Sequence, residues 1–383
     1  MTPKNSAETD VGRATEPRRL FLDRDGLAQR EFTRTDQPHD GDHRQPPNTR
    51  RPLRTSCLIN NFNYAHFLPD AVDSALNQTT PFDEIIVVDD GSTDESLALL
   101  RERYGQNPRL KIISQANGGQ LAAFNTGYQA ATGDILFFLD ADDRYYPRHV
   151  EEMLNAYYDD PRLDFVFCAS RLFGNESREQ QPFTRNMDFG ETAVLTYFRL
   201  AWIGGPTSCL AIRRPLLDRF LPLENTEDWR IRADDCLVYG SGIAGGRKRY
   251  VNRCLVQYRV HENNCHYGKP IRPVEDAARQ AALLRLRRSL LARLGLTPDA
   301  LAQSIVSEFL AIPEPTLRQC RHYLQLAAKH LPLGSARSSQ IATILRRQWL
   351  QGKDREIWSS QLALIALAGW HGCWDLSTIF RLA

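Results

Sequence analysis

The sequence predicts an α/β protein: a doubly wound, mostly parallel sheet with helices on both faces over residues 53–268, then an all-helical region over 269–383. Three observations predict it. Nearly continuous apolar runs ending in acids, EIIVVD at 84–89 and DILFFLD at 134–140, are the mark of parallel strands buried on both faces. Helix-period stretches alternate with these runs at the spacing of strand–helix–strand units. From Val274 onward strand runs give way to successive amphipathic helical stretches.

Order begins after Pro52. Residues 1–52 are polar, rich in Arg, Asp and Pro, with charges that nearly cancel, and read as a disordered or loosely attached tail. TSCLIN (55–60) is a short strand entering an Asn-rich loop, followed by a helix over about 68–77. Gly91-Ser92-Thr93-Asp94-Glu95 supplies the turn and cap after the second strand, and a helix runs to Tyr104. A third strand is expected at 110–114, a helix at 119–131, a fourth strand at 134–139, a helix at 147–158 and a strand at 164–170. The stretch 172–182 reads as exposed, and 254–259 as a strand. The helical region divides into about 274–294, 297–310, 314–330, 337–350 and 354–369.

Bulk properties exclude several classes. Hydrophobic residues at 42% and charged residues at 25% are ordinary for a globular chain. A formal charge of +2, with scattered arginines and no aromatic-interleaved basic stripe, gives no reason to expect a nucleic-acid partner. No apolar run reaches the roughly eighteen residues of a membrane span, and the first twenty residues do not resemble a signal peptide. Eight cysteines without a CxxC pair favour reduced thiols. A cytoplasmic protein is expected, with peripheral contact at the inner face of a membrane as one option.

The chemistry lies where strands end. Ligands of doubly wound sheets sit beyond the carboxyl ends of the strands. Asp89-Asp90 and Asp140-Ala141-Asp142-Asp143 both fall there. Carboxylates this close repel unless a cation or hydrogen-bond donors intervene, and a Mg2+ or Mn2+ ion that also holds phosphates meets that need. A short acidic triplet alone is as readily a solvated helix cap; its position makes the difference. There is no GxxxxGK[ST] loop and no GxGxxG after a strand, so a diphosphate would be held by metal rather than by a glycine nest. Asn117-Gly118-Gly119-Gln120 opens a helix whose small residues allow close approach of a ligand or a neighbouring helix. Arg259 and His261, just beyond the last core strand, could bring positive charge towards a diphosphate.

Four ordered motifs carry a resemblance: the N-F-N-Y loop (61–64), VVDDGSTD, N-x-G-x-x-x-A-x-N-x-G from Asn117, and FLDADD. The chain resembles the family 2 glycosyltransferases with the GT-A fold, strongly over 55–148 and more loosely over 149–268. The resemblance implies a nucleotide-diphosphate-sugar donor, UDP-sugar favoured, and inversion at the anomeric centre. It implies that Asp89 or Asp90 contacts base or ribose, that Asp140 contacts ribose or sugar, and that Asp142, with Asp140 beside it, serves the metal. Asn61 and Asn63 would flank the nucleotide. In many relatives the position of Asn61 is threonine, and that of Ala233 is glutamate, which leaves the base contacts and the carboxylate register open.

In-line displacement needs one more carboxylate to take the acceptor's proton. The order Asp, Gly, strand, Y-R-x-H in relatives favours Asp234, followed by Gly245 and Tyr258-Arg259-Val260-His261; Asp235 and Asp228 are the alternatives, both explicable as helix N-terminal charges. Gly204-Gly205-Pro206-Thr207-Ser208 matches the loop that separates donor from acceptor in relatives, and Trp202 ahead of it reads first as core. Two other functions use acidic sites on such a sheet. A nucleotidyltransferase making a nucleotide sugar would want a Gly-rich basic loop near the first strand, which CLINNFNYAHF is not. A non-catalytic binding or scaffold protein would not need the full set of carboxylates. The acceptor stays open between a glycan, a lipid-linked saccharide and a protein. The last helices, with Trp349, Trp358, Trp370 and Trp374, are candidates for membrane docking or a homodimer.

Overall fold

A computed structural model describes residues 51–262, 264, 267 and 272–350, the side chains of 348–350 excepted. Residues 1–50 of the polar segment, the expected helix at 354–369, the indoles of Trp349, Trp358, Trp370 and Trp374, and the docking or dimer roles considered for them lie outside these residues.

The chain runs β1 (Thr55–Asn61), α1 (Leu68–Leu76), β2 (Glu84–Asp89), α2 (Ser96–Tyr104), β3 (Leu110–Ser114), α3 (Gln120–Ala130), β4 (Ile135–Asp140), β5 (Arg144–Tyr145) and α4 (His149–Asp159). It continues through β6 (Phe165–Gly174), β7 (Glu179–Gln180), β8 (Met187–Gly190), α5 (Ala193–Arg199), β9 (Leu210–Arg213), α6 (Arg214–Leu217), α7 (Asp234–Ile243) and β10 (Lys248–Val260). The helical region follows as α8 (Pro273–Leu294), α9 (Pro298–Gln303), α10 (Ile305–Ala311), α11 (Leu317–His330) and α12 (Ser335–Leu350).

One sheet has the order β3-β2-β1-β4-β9-β6-β10-β5, with β7 on β6 and β8 on β10. Its first half is wholly parallel. The apolar strand runs are buried on both faces because their side chains alternate between two cores. Leu58, Ile86, Val88, Leu136 and Phe138 face one; Cys57, Ile59, Ile85, Val87, Phe137 and Leu139 face the other. The second half is mixed: β9 runs antiparallel between β4 and β6, and β10 returns parallel to β6. Strand β10 is thirteen residues long, well beyond the expected 254–259. Its first half, KRYVNR, carries too many polar residues to read as strand, and its pairing with β6 shifts register around Cys254. The expected helix at 297–310 divides at Ser304 into α9 and α10.

The helical region is joined to the sheet domain by its core. Leu283, Leu286, Leu290 and Leu291 of α8 belong to the same buried cluster as β4, β6 and α7. Leu283, Leu286 and Leu290, spaced three and four apart, lie on one stripe of the helix, with Leu291 beside it. A second cluster joins Val194, Leu195 and Ala201 to α10, α11 and α12. At its centre the buried Glu308 accepts the Val194 and Leu195 N–H groups (2.8 and 3.3 Å) and the Tyr323 hydroxyl (2.7 Å). It thereby caps α5 from the helical region. Among the described residues no helix is long and apolar enough to cross a membrane, and the six described cysteines are free thiols.

Candidate functional site

Parallel register brings the strand ends level. The last residues of β1, Asn60 and Asn61, pair with Asp140 of β4 and Asp89 of β2. A cleft of about 710 Å3 opens beyond them, lined among others by Asn60, Asn61, Asp90, Asn117, Asp140, Asp142 and Asp234. That volume suits a ligand of nucleotide-sugar size.

The expected nucleotide-side residues divide into liners and framework. Asp89 is buried and spent locally: its carboxylate accepts the Asn61 amide (2.9 Å) and the Ser92 N–H (3.3 Å). Asn63, at φ 59°, ties the loop after β1 to the next turn by accepting the Thr93 N–H at 2.7 Å; neither it nor Asp89 lines the cleft. Asp90 does. Gly118 and Gly119 N–H groups (2.9 and 2.7 Å) and the Gln115 amide (2.6 Å) fix its carboxylate. The start of α3 thus orients an acid at the cleft wall. Asn117 also lines the wall, its carbonyl accepting from Arg230.

At the end of β4 the acids have three tasks. Asp143 turns inward, accepting the Ser208 hydroxyl (2.6 Å) and the Arg259 N–H (2.8 Å), and so joins β4 to the 206–209 turn and to β10. Asp140 faces the cleft, its Oδ1 accepting the Gln120 amide at 3.0 Å. Burial foremost, with the Asp142 and Asp234 carboxylates, pushes its pKa up to about 7, against the pull of hydrogen bonds from Asn60 and Thr207. A buried carboxylate whose ionisation is made costlier by two neighbouring carboxylates marks a site that favours a cation. Asp142 Oδ2 lies 3.0 Å from His261 Nε2, and the imidazole is held against Tyr64 and Phe67. Arg259 is committed to the scaffold: it donates to the Asp142 carbonyl (2.7 Å) and to Asp70 (2.6 Å), and lies over the Phe67 and Phe173 rings. Its guanidinium does not reach the cleft wall.

Among the described residues no group of three or more His, Cys, Asp and Glu side chains is arranged to hold a metal ion. Asp142, at the cleft wall, and His261, behind it at 3.0 Å, offer two donors of suitable chemistry. That fits an ion that draws the rest of its shell from phosphate oxygens and water.

Across the cleft stand the three remaining candidates, and the structure separates them. Asp228 forms a two-point ion pair with Arg285 (2.8 and 2.7 Å), and buried Asp235 forms one with Arg279 (2.8 and 3.0 Å). Both partners belong to α8. Asp234, at the start of α7, is the one of the three that lines the cleft. Trp202 is 7% exposed, so most of its ring is core, with an edge at the cleft wall.

Some liners escaped the sequence reading. Gln120 bridges the two sides: its amide donates to Asp140, its carbonyl accepts the Ala233 N–H (2.8 Å), and its own N–H donates to the Arg230 carbonyl (2.9 Å). Its place in the Asn117–Gln120 loop was the available signal. Arg178 to Pro182, on an exposed hairpin, form another wall with Tyr258 and Tyr267; nothing local marked the hairpin residues.

Gly119 permits the close approach of α3 to the loop before α7. It stands at φ +86°, and a Cβ there would lie 2.4 Å from the Arg230 Cα. Gly119→Ala is expected to cost about 1–3 kcal/mol of stability through backbone strain and to reduce turnover by parting Gln120 from Arg230 and Ala233. Thermal unfolding and steady-state rates check this; wild-type values for both would contradict it.

Comparison with known proteins gives four findings. The family description Glycosyl transferase family 2 matches residues 56–253. An uncharacterized glycosyltransferase of Nostoc sp. is 35% identical over 233 residues, 60% of this chain and 72% of the relative. A chondroitin synthase of Pasteurella multocida is 39% identical over 116 residues, 30% of this chain and 12% of that longer protein. Among solved structures, S. aureus TarS 1-349 in complex with UDP aligns with a TM-score of 0.49 at 16% identity, covering 84% of this chain and 93% of that one.

Proposed function

The chain belongs to the family 2 glycosyltransferases and has their GT-A-like fold, and from that premise we propose an inverting, metal-assisted transferase that takes a sugar from a nucleotide-diphosphate donor, UDP-sugar favoured. The observation that supports this most is a single cleft in which Asp90, Asp140 and Asp142 face Asp234. One wall offers acids for a nucleotide and a cation; the other offers the Asp234 carboxylate. The acceptor is a glycan, a lipid-linked saccharide or a protein.

Asp142 and His261 would hold Mn2+ or Mg2+, whose charge neutralises the departing diphosphate. Asp90, fixed by Gly118 and Gly119, receives donor groups of the base or ribose. Asp140, oriented by Gln120, receives ribose or sugar hydroxyls. Asp234 takes the proton of the acceptor hydroxyl as that oxygen attacks the anomeric carbon and the bond to the diphosphate breaks. The product then has the opposite anomeric configuration.

Release of UDP from UDP-sugars, with water as the acceptor, tests the reading without knowledge of the natural acceptor. Hydrolysis that requires Mn2+ or Mg2+ is expected for at least one of UDP-glucose, UDP-galactose and UDP-N-acetylglucosamine. Release of pyrophosphate from a nucleoside triphosphate and a sugar phosphate would instead indicate a nucleotidyltransferase.

A further inference from the structure

Helix α8 reaches the site through a buried ion pair. Arg279 and Asp235 are matched fork to fork at 2.8 and 3.0 Å, with side chains 13% and 2% exposed. Arg279 stands four residues before Leu283 on the stripe that continues through Leu286 and Leu290 into the shared core. The guanidinium is therefore carried by a helix face that cannot shift without disturbing that core. Arg232, from the loop before α7, approaches the same carboxylate at 3.9 Å. On the other side of the peptide, the Asp235 N–H donates to Asp234 Oδ1 at 3.1 Å. Whatever fixes Asp235 also fixes the oxygen of its neighbour at the cleft.

A stabilising role alone does not explain this pair. A buried ion pair is commonly no more stabilising than apolar residues of the same volume, because desolvation offsets the attraction. Its distinctive property is geometry: a planar guanidinium held at two points restricts the carboxylate in distance and in angle.

We propose that Arg279 is a positioning residue for glycosyl transfer: through Asp235 it sets the first turn of α7 and with it the Asp234 carboxylate. The helical region thereby completes the active site rather than merely flanking it. This rests on the reading of Asp234 as the base.

The test uses the full chain with Mn2+ and whichever of UDP-glucose, UDP-galactose and UDP-N-acetylglucosamine the wild type hydrolyses fastest. Arg279→Gln is expected to lower kcat about 10- to 100-fold, since misplacement of a reacting group by about 1 Å has effects of that order. UDP affinity by calorimetric titration should stay within twofold. Arg279→Lys, which keeps the charge and loses the fork, should lower kcat in the same direction and serves in place of Arg279→Gln if that variant does not fold. Asp235→Asn combined with Arg279→Gln replaces the ion pair by a neutral hydrogen bond and should recover part of the lost kcat. Arg285→Gln breaks the exposed pair with Asp228 and should leave kcat within twofold. Wild-type kcat in both Arg279 variants, or equal losses of kcat and UDP affinity, overturns the proposal. If Asp234→Asn turns over normally, the underlying assignment of the base fails instead, whatever the Arg279 variants do.

Discussion

Asp234→Asn is expected to lower turnover about 10²–10⁴-fold, the usual contribution of a positioned general base, with metal-dependent donor binding largely intact. Asparagine keeps the volume and can still accept the Asp235 N–H, which the carboxylate accepts at 3.1 Å. What it loses is the capacity to take a proton. Its neighbours do not substitute readily: Asp235 is buried against Arg279, and Asp228 is engaged by Arg285. Steady-state UDP release and a calorimetric titration with UDP and Mn2+, on the same preparation, separate catalysis from binding. Wild-type turnover in Asp234→Asn would move the assignment to another carboxylate.

Asp142→Ala is expected to have the opposite signature. With Asp142 absent, His261 keeps its place against Tyr64 and Phe67 but has lost its partner at 3.0 Å. An ion would then have one protein ligand instead of two. Changes in the second shell alone commonly cost 10–100-fold in metal affinity, so loss of a direct ligand should weaken Mn2+-dependent UDP binding by at least about 100-fold. The fold should survive, because Asp143 carries the structural bonds to Ser208 and Arg259. Titration of UDP into the variant with Mn2+ measures the effect; retention of wild-type affinity would contradict a role for Asp142 at the metal.

The parallel half of the fold was legible because its signals are local. An apolar run such as ILFFL followed by an acid specifies a buried strand and places the acid at its mouth. The second half was less legible for physical reasons. Strands β5, β7, β8 and β9 are two to four residues long, too short for a period to show. Helix α7 contains Gly240 and Gly242, which weaken helix propensity. The glycines fit there because a Cβ would meet the Phe220 ring at 2.6 Å and the Thr196 hydroxyl at 2.3 Å.

The candidate site divides in the same way. That acids cluster at strand ends could be read from the sequence; how each acid is used could not. Asp89, Asp90, Asp142 and Asp143 look alike in the chain. Only partners far away in sequence distinguish the framework acids Asp89 and Asp143 from Asp90 and Asp142 at the cleft. The same holds for Asp234 and Asp235, which are adjacent in sequence, yet one faces the cleft and the other faces Arg279, 44 residues later. Gln120 meets Ala233 across 113 residues, a separation no local pattern encodes.

The most direct measurement is a thermal-shift comparison of the wild type with UDP, GDP and dTDP, each with Mn2+ and with the ion chelated. A nucleoside diphosphate, UDP foremost, should raise the unfolding midpoint with Mn2+ and lose that effect when the ion is chelated or when Asp142 is alanine. No shift with any of the three in the presence of Mn2+, or a shift of equal size without the ion and in Asp142→Ala, would contradict metal-assisted donor binding at this cleft.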